Sequence, residues 1–282
     1  MMGLDHAELR LDILEVNKGI IIVAGFSNLQ QKGALKLLVF FWGFWALTVP
    51  AGAFSFSEWN FLLKKYVSPK TISGVRINAV DYKQLKSDPV FKNLVSNLND
   101  FSPSDLSSKK DQLAFWINAY NIMAVKTVLD HYPIKSIKDV GNLFHSVWGK
   151  KVGIVGGKPR TLNEIEHEIL RKMDEPRIHF AIVCASVSCP DLRKEPFAAD
   201  NLSTQLEEQT KLFLGNQYKG LRIENKKIYI SAIFKWFKED FESRGGVLKF
   251  IEAYVNKKNK TTITPDQKKI VYMDYNWKLN IL

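Results

Sequence analysis

Both cysteines of this chain, Cys184 and Cys189, fall in one stretch, HFAIVCASVSCPDLR, at 179–193. A thiol five residues from a second thiol can serve three chemistries: nucleophilic attack with a neighbouring base, a metal clip, or a disulfide. Two thiols and scattered histidines fall short of a zinc cage, so no metal and no cofactor are expected. Ser186 and Ser188 lack the G-x-S-x-G elbow of a serine nucleophile. Read as a strand, residues 177–184 put His179 and Cys184 on opposite faces. The base for a Cys184 nucleophile would then come from elsewhere, and the disulfide is the simplest use of two close thiols in an exported protein.

Other polar residues stand where apolar ones are expected. Asn118 and Asn121 lie on the apolar face of the helix DQLAFWINAYNIMAVKTVLDHY. A buried amide must find partners or cost on the order of 1–3 kcal/mol. The amides are expected to fix a neighbouring loop, with substrate contact as the alternative. Ser188 and Arg193, in the cysteine stretch itself, are further candidates for binding substrate. Glu166 falls inside the buried stripe of a helix over 162–173, where a carboxylate needs a cationic partner or takes up a proton. An ion pair is the default for Glu166 and a catalytic acid the alternative. His167 stands between Glu164 and Arg171 at helical spacing. His131 suits a helix C-terminus, and nothing speaks for His145. His167 and His179 remain as candidate bases.

These side chains need a scaffold. S-x-x-D at Ser108 and Asp111 opens the long helix, and T-x-x-E at Thr161 and Glu164 opens the 162–173 helix. Further helices are expected near 88–98, 200–214, 231–242 and 247–255. Strands are expected at 74–82 and 177–184, in hairpins near 151–155 and 221–230, and in KIVYMDYNW near the end. The pattern lacks the strand–helix rhythm of a doubly wound sheet. It predicts an α+β single domain with several helices around a small, mostly antiparallel sheet.

Residues 37–49, LLVFFWGFWALTV, follow Lys32 and Lys36 and precede Pro50 and Ala51-Gly52-Ala53. This order predicts an N-terminal extension and secretory signal over 1–53, cleaved after Ala53, and one globular domain over 54–282. Residues 1–31 overhang the signal, as an over-extended start would. The protein is thus expected to be periplasmic or secreted, the alternative being an uncleaved apolar anchor. Net charge is +11, spread as lysine pairs. That favours electrostatic association with an anionic envelope surface over nucleic acid, which is not expected as a partner. Partner and oligomeric state are not legible.

Four segments, FWINAYN (115–121), LNEIEHEILR (162–171), HFAIVCASVSCPDLR and YMDYNWKLN (272–280), together resemble the domain-of-unknown-function family 547 over roughly 75–282. Its members in turn resemble papain- and transglutaminase-like thiol enzymes. That resemblance implies Cys184 as nucleophile and His167 or His179 as base. One departure is that the thiol of transglutaminase-like enzymes opens a buried helix, whereas the long helix here opens with SSKKDQ. Family members without a cysteine at the position of Cys189 imply that a disulfide is not general to the fold. The functional expectation is an exported binding or structural module with a buried polar network and a Cys184–Cys189 disulfide. The alternative is a thiol-dependent hydrolase or acyltransferase.

Overall fold

The computed structural model describes residues 9–16, 19–26, 53–141, 146–224, 227–255 and 269–282, the first two segments by backbone alone. The apolar run at 37–49 and the cleavage site at Ala53 thus lie outside or at the edge of the described residues, and so does His145. The chain divides into a unit over Met1–Thr48 and a unit over Val49–Leu282. In the first, β1 (Leu9–Val16) and β2 (Gly19–Phe26) form an antiparallel hairpin. No helix among the described residues is long and apolar enough to cross a membrane.

The second unit is built on α4 (Lys109–His131), which is buried along nearly its whole length from Leu113 to Leu129. A helix apolar all round must be enclosed by other elements. Here the segment Glu164–Leu170, α2 (Tyr82–Leu85) and β5 (Lys151–Val155), paired in a hairpin with β6 (Lys158–Thr161), pack on it, and α1 (Ser57–Tyr66) and α3 (Pro89–Asp100) share its apolar cluster. The Ser108 hydroxyl caps α4 by accepting the Asp111 N–H at 3.0 Å. Thr161 likewise accepts the Glu164 N–H at 2.9 Å.

The class is α+β, as expected, but the strands do not gather into one sheet. β3 (Val67–Ile72) pairs with β4 (Val75–Val80), and β7 (Leu221–Glu224) with β8 (Lys227–Ile230), each antiparallel. The last strand, β9 (Lys269–Tyr272), joins β8 in parallel. β3 begins directly after α1 where the Ser68-Pro69 pair reads as a stop. Proline is tolerated there because an edge strand need not donate every N–H.

Two helical segments depart from regular α geometry. Glu164–Leu170 is a π-helix, in which the Arg171 N–H bonds back to the Glu166 carbonyl. Pro176–Phe180 is a 3-10 helix, so the strand read over 177–184 is corrected. The reason lies in what satisfies the backbone beyond it. The Asn121 amide donates to the Ala181 carbonyl at 3.0 Å and accepts the Val183 N–H at 2.9 Å, replacing a strand neighbour. Gln209, from α5 (Leu202–Gly215), donates to the Phe180 and Asp191 carbonyls. Side-chain amides therefore satisfy buried backbone groups that a ladder would otherwise need. The strand-parity separation of His179 from Cys184 falls with the strand.

A second apolar cluster forms around Phe180, Phe234, Phe241 and Phe250. It draws on α6 (Ile233–Trp236), the 3-10 helix Lys238–Arg244 and α7 (Gly246–Tyr254).

Candidate functional site

A pocket of about 380 Å³ takes lining residues from both apolar clusters. Tyr120 from α4, Glu166 and His167 from the π-helix, and His179 from the 3-10 helix form its polar side. Cys184, Cys189 and Tyr275 form another part of the wall. Trp148, Trp236, Phe237 and Trp277 supply the aromatic remainder, with Ile182, Val183 and Ile233 beside them. An apolar cleft with a few convergent polar groups is the usual form of a small-molecule site.

Backbone strain shapes the cysteine side. Ala185 has φ 55°, left-handed geometry that a residue with a Cβ adopts at a cost. This bend turns Ser186 back toward Cys184: its hydroxyl lies 3.1 Å from Cys184 Sγ and its N–H is directed to the same sulfur. The Tyr275 hydroxyl also lies 3.1 Å from Cys184 Sγ. Burial opposes ionisation of the Cys184 thiol, but these donors and the Cys189 thiol outweigh it and hold its pKa below the ordinary value. Burial pushes the Cys189 thiol up, and the Cys184 sulfur adds to this. Both thiols are free, and Cys189 Sγ accepts the Cys184 N–H at 2.8 Å.

The loop is anchored from below and above. The Lys219 ammonium, 2% exposed, donates to the Cys189 carbonyl at 2.8 Å and to Asp191 at 2.7 Å. Gly220 allows this approach, since a Cβ there would stand 1.8 Å from the Phe213 carbonyl oxygen. The C-terminal segment crosses above: the Ser188 N–H donates to Asn276 O, Val187 N–H to Lys278 O, and Asn280 N–H to Ala185 O. The same crossing delivers Tyr275 to Cys184.

On the opposite side, Glu166 makes one side-chain hydrogen bond among the described residues, accepting from the Tyr120 hydroxyl at 3.2 Å. Burial pushes its pKa up to about 7, with Tyr120 and Arg171 opposing the shift. Among the described residues the expected ion pair is not formed: Arg171 is taken by Asp240, which accepts two guanidinium bonds at 2.6 and 2.7 Å. Asp240 Oδ2 also accepts from His179 Nε2 at 2.6 Å. Burial would raise the Asp240 pKa, yet the His179 and Arg171 bonds overcome it and hold the group ionised.

These contacts assign the two histidines different roles. Arg171 Nη1 lies 2.7 Å from His167 Nδ1. Arginine only donates, so that nitrogen accepts and the neutral ring carries its proton on Nε2. Burial and then the Arg171 charge lower the His167 pKa, which leaves it a donor rather than a base. His179 is the reverse case. Its Nε2–H points at the Asp240 carboxylate, and its ring stacks on Phe237 at 4.1 Å. Burial lowers its pKa despite Asp240. The neutral ring presents Nδ1, which has no hydrogen-bond partner among the described residues. An oriented imidazole with a free basic nitrogen is the arrangement a general base needs.

The remaining sequence candidates lie away from this chemistry. Asn118 closes both amide groups on Phe197, donating to its carbonyl at 2.8 Å and accepting its N–H at 3.0 Å. Asn121 is closed on Ala181 and Val183. The Ser188 hydroxyl accepts the Asn276 N–H at 2.9 Å. Arg193 pairs with Glu195 and Glu208. None of these four lines the pocket, and His131 bonds the Thr127 carbonyl. Asp240, Tyr120 and Tyr275 are the site residues that sequence reasoning passed over. Tyr275 at least lay within a quoted motif, whereas Asp240 sits in FKEDFES and carried no signal.

Residues 103–214 match the family model described as "Protein of unknown function, DUF547". The match is confined to that segment and leaves more than half of the chain outside it. The matched span is shorter than the 75–282 over which the motifs resemble the family. It holds α4, the π-helix and the cysteine loop, and leaves Asp240, Tyr275, Trp236 and Trp277 downstream. No curated protein and no solved structure gives a significant match to the chain.

Proposed function

We propose that this is an exported thiol-dependent enzyme, a hydrolase or acyltransferase, acting on a small and largely apolar substrate. Cys184 attacks the substrate carbonyl, His179 oriented by Asp240 takes up and returns the proton, and protonated Glu166 donates to developing negative charge. The observation that carries this reading is the set of donors on one sulfur: Ser186 and Tyr275 both at 3.1 Å from Cys184 Sγ, on the wall of an aromatic pocket. Iodoacetamide should label Cys184 at least tenfold faster than Cys189 in the native, reduced protein. Hydrolysis of p-nitrophenyl esters should be lost in Cys184→Ser. Slow, equal labelling of both thiols, with ester hydrolysis unchanged in Cys184→Ser, sinks the enzyme reading. Export predicts a mature N-terminus at Phe54, read by N-terminal sequencing of the processed protein.

A second reading is a binding or structural module stapled by a Cys184–Cys189 bond. It is favoured by the contact of Cys189 Sγ with the Cys184 amide and by asparagines wholly used in clamping loops. Under it, the natively isolated protein has no titratable thiol, and Cys184→Ala lowers the melting temperature without changing any reactivity.

A further inference from the structure

The second thiol has no part in acyl transfer, yet it lines the same pocket and touches the first. We propose that Cys184 and Cys189 also form a nucleophile–resolver pair that carries out thiol–disulfide exchange with a small disulfide bearing an aromatic or apolar half. This rests on the reading of Cys184 as the nucleophile and adds a role for Cys189.

Three observations on the geometry support it. Cys184 is partly exposed on the pocket wall, whereas Cys189 is 3% exposed. An attacking thiol must reach its substrate, and a resolving thiol need only reach the attacker. Cys189 Sγ already accepts the Cys184 N–H at 2.8 Å, so capture of Cys184 needs a local shift and no rearrangement of elements. Lys219 and the C-terminal crossing hold the loop from both sides and keep the two sulfurs together. The aromatic wall of Trp148, Trp236, Phe237 and Trp277 then selects the apolar half of the disulfide. The thiol acidities agree in direction, lowered for Cys184 and raised for Cys189.

In the first step the Cys184 thiolate attacks R–S–S–R′. A Cys184–S–R bond forms, the substrate S–S bond breaks, and R′–S⁻ leaves with the electron pair and takes a proton. In the second step Cys189 bonds to Cys184 Sγ as its proton passes to the departing R–S⁻. The two protein thiols lose two electrons, and the substrate disulfide gains them as two thiols. A low-molecular-weight thiol runs the cycle back.

The test uses the full, reduced protein and the aromatic disulfide 5,5′-dithiobis(2-nitrobenzoic acid). The wild type should release two equivalents of the coloured thiolate and end as an internal Cys184–Cys189 disulfide with no adduct by mass. Cys189→Ser should release one equivalent and keep a mixed disulfide on Cys184. Cys184→Ser should react at least tenfold more slowly. Two stable adducts on the wild type, or one that never resolves, overturn the exchange proposal while leaving Cys184 as nucleophile. Preferential reaction at Cys189 overturns both. The wild-type stoichiometry stands without any variant, so a misfolded mutant does not blunt the test.

Discussion

Helix α4 and the π-helix each bury polar side chains in an apolar surface, and they do so to opposite ends. Asn118 and Asn121 on α4 each use the amide nitrogen and the amide oxygen on loop backbone, so neither polar atom is without a partner. Glu166 on the π-helix is also buried, at 6% exposed, but among the described residues its side chain has only the Tyr120 hydroxyl as hydrogen-bond partner. A satisfied buried group stabilises a fold, whereas an under-satisfied one stores reactivity, because its proton affinity is set by the pocket. The comparison therefore separates scaffold from site among residues that look alike in one dimension.

Substitutions should separate them with opposite signs. Asn121→Ala leaves the Ala181 carbonyl and the Val183 N–H without partners, at about 1–3 kcal/mol each. It should destabilise the domain by roughly 2–6 kcal/mol in urea unfolding at any pH from 5 to 8. A loss below about 1 kcal/mol would mean that water replaces the clamp.

Glu166→Gln should do the reverse, and only at high pH. A carboxyl whose folded pKa lies above its unfolded value favours folding in its protonated form. Its contribution is whole below the ordinary 4.5 and is lost as pH rises to about 7. Above pH 7 the buried charge costs on the order of 3 kcal/mol. Glutamine copies the protonated acid, so the variant should match wild type at pH 4.5 and exceed it by up to about 3 kcal/mol at pH 8. A pH-independent difference between the two would remove the carboxyl from the reactive class.

Tyr275→Phe takes one donor from Cys184 Sγ without emptying the wall. Iodoacetamide labelling at pH 7 should slow by about three- to tenfold, with the rate profile moved to higher pH. An unmoved profile would make Tyr275 packing only. Ser188→Ala removes a single acceptor for the Asn276 N–H and should cost about 1 kcal/mol by melting temperature. Thiol reactivity should stay unchanged, which places Ser188 with the asparagines.

The helical scaffold was legible because its signals are local. Ser108 and Thr161 mark their helices by side chains that reach three residues on, and the burial of α4 follows from its composition. The loop after Phe180 was not legible as such. Its run of apolar residues reads as a strand, but its backbone partners are the amides of Asn121 and Gln209, far away in sequence. Asp240 escaped for the same reason: what distinguishes it is the company of Arg171 and His179, which a linear reading does not bring together.

The sequence by itself determined the α+β class, the capped helices, the cysteine loop as the densest chemistry, and the family model that residues 103–214 match. Those follow from residue types and short spacings. Only the tertiary structure decided that Arg171 belongs to Asp240 and that burial pushes the Glu166 pKa up to about 7. Likewise it gave His179 rather than His167 the free nitrogen, and brought Tyr275 to Cys184. Each is a choice of partner across an enclosed space, and in a buried site the partner determines where the proton resides.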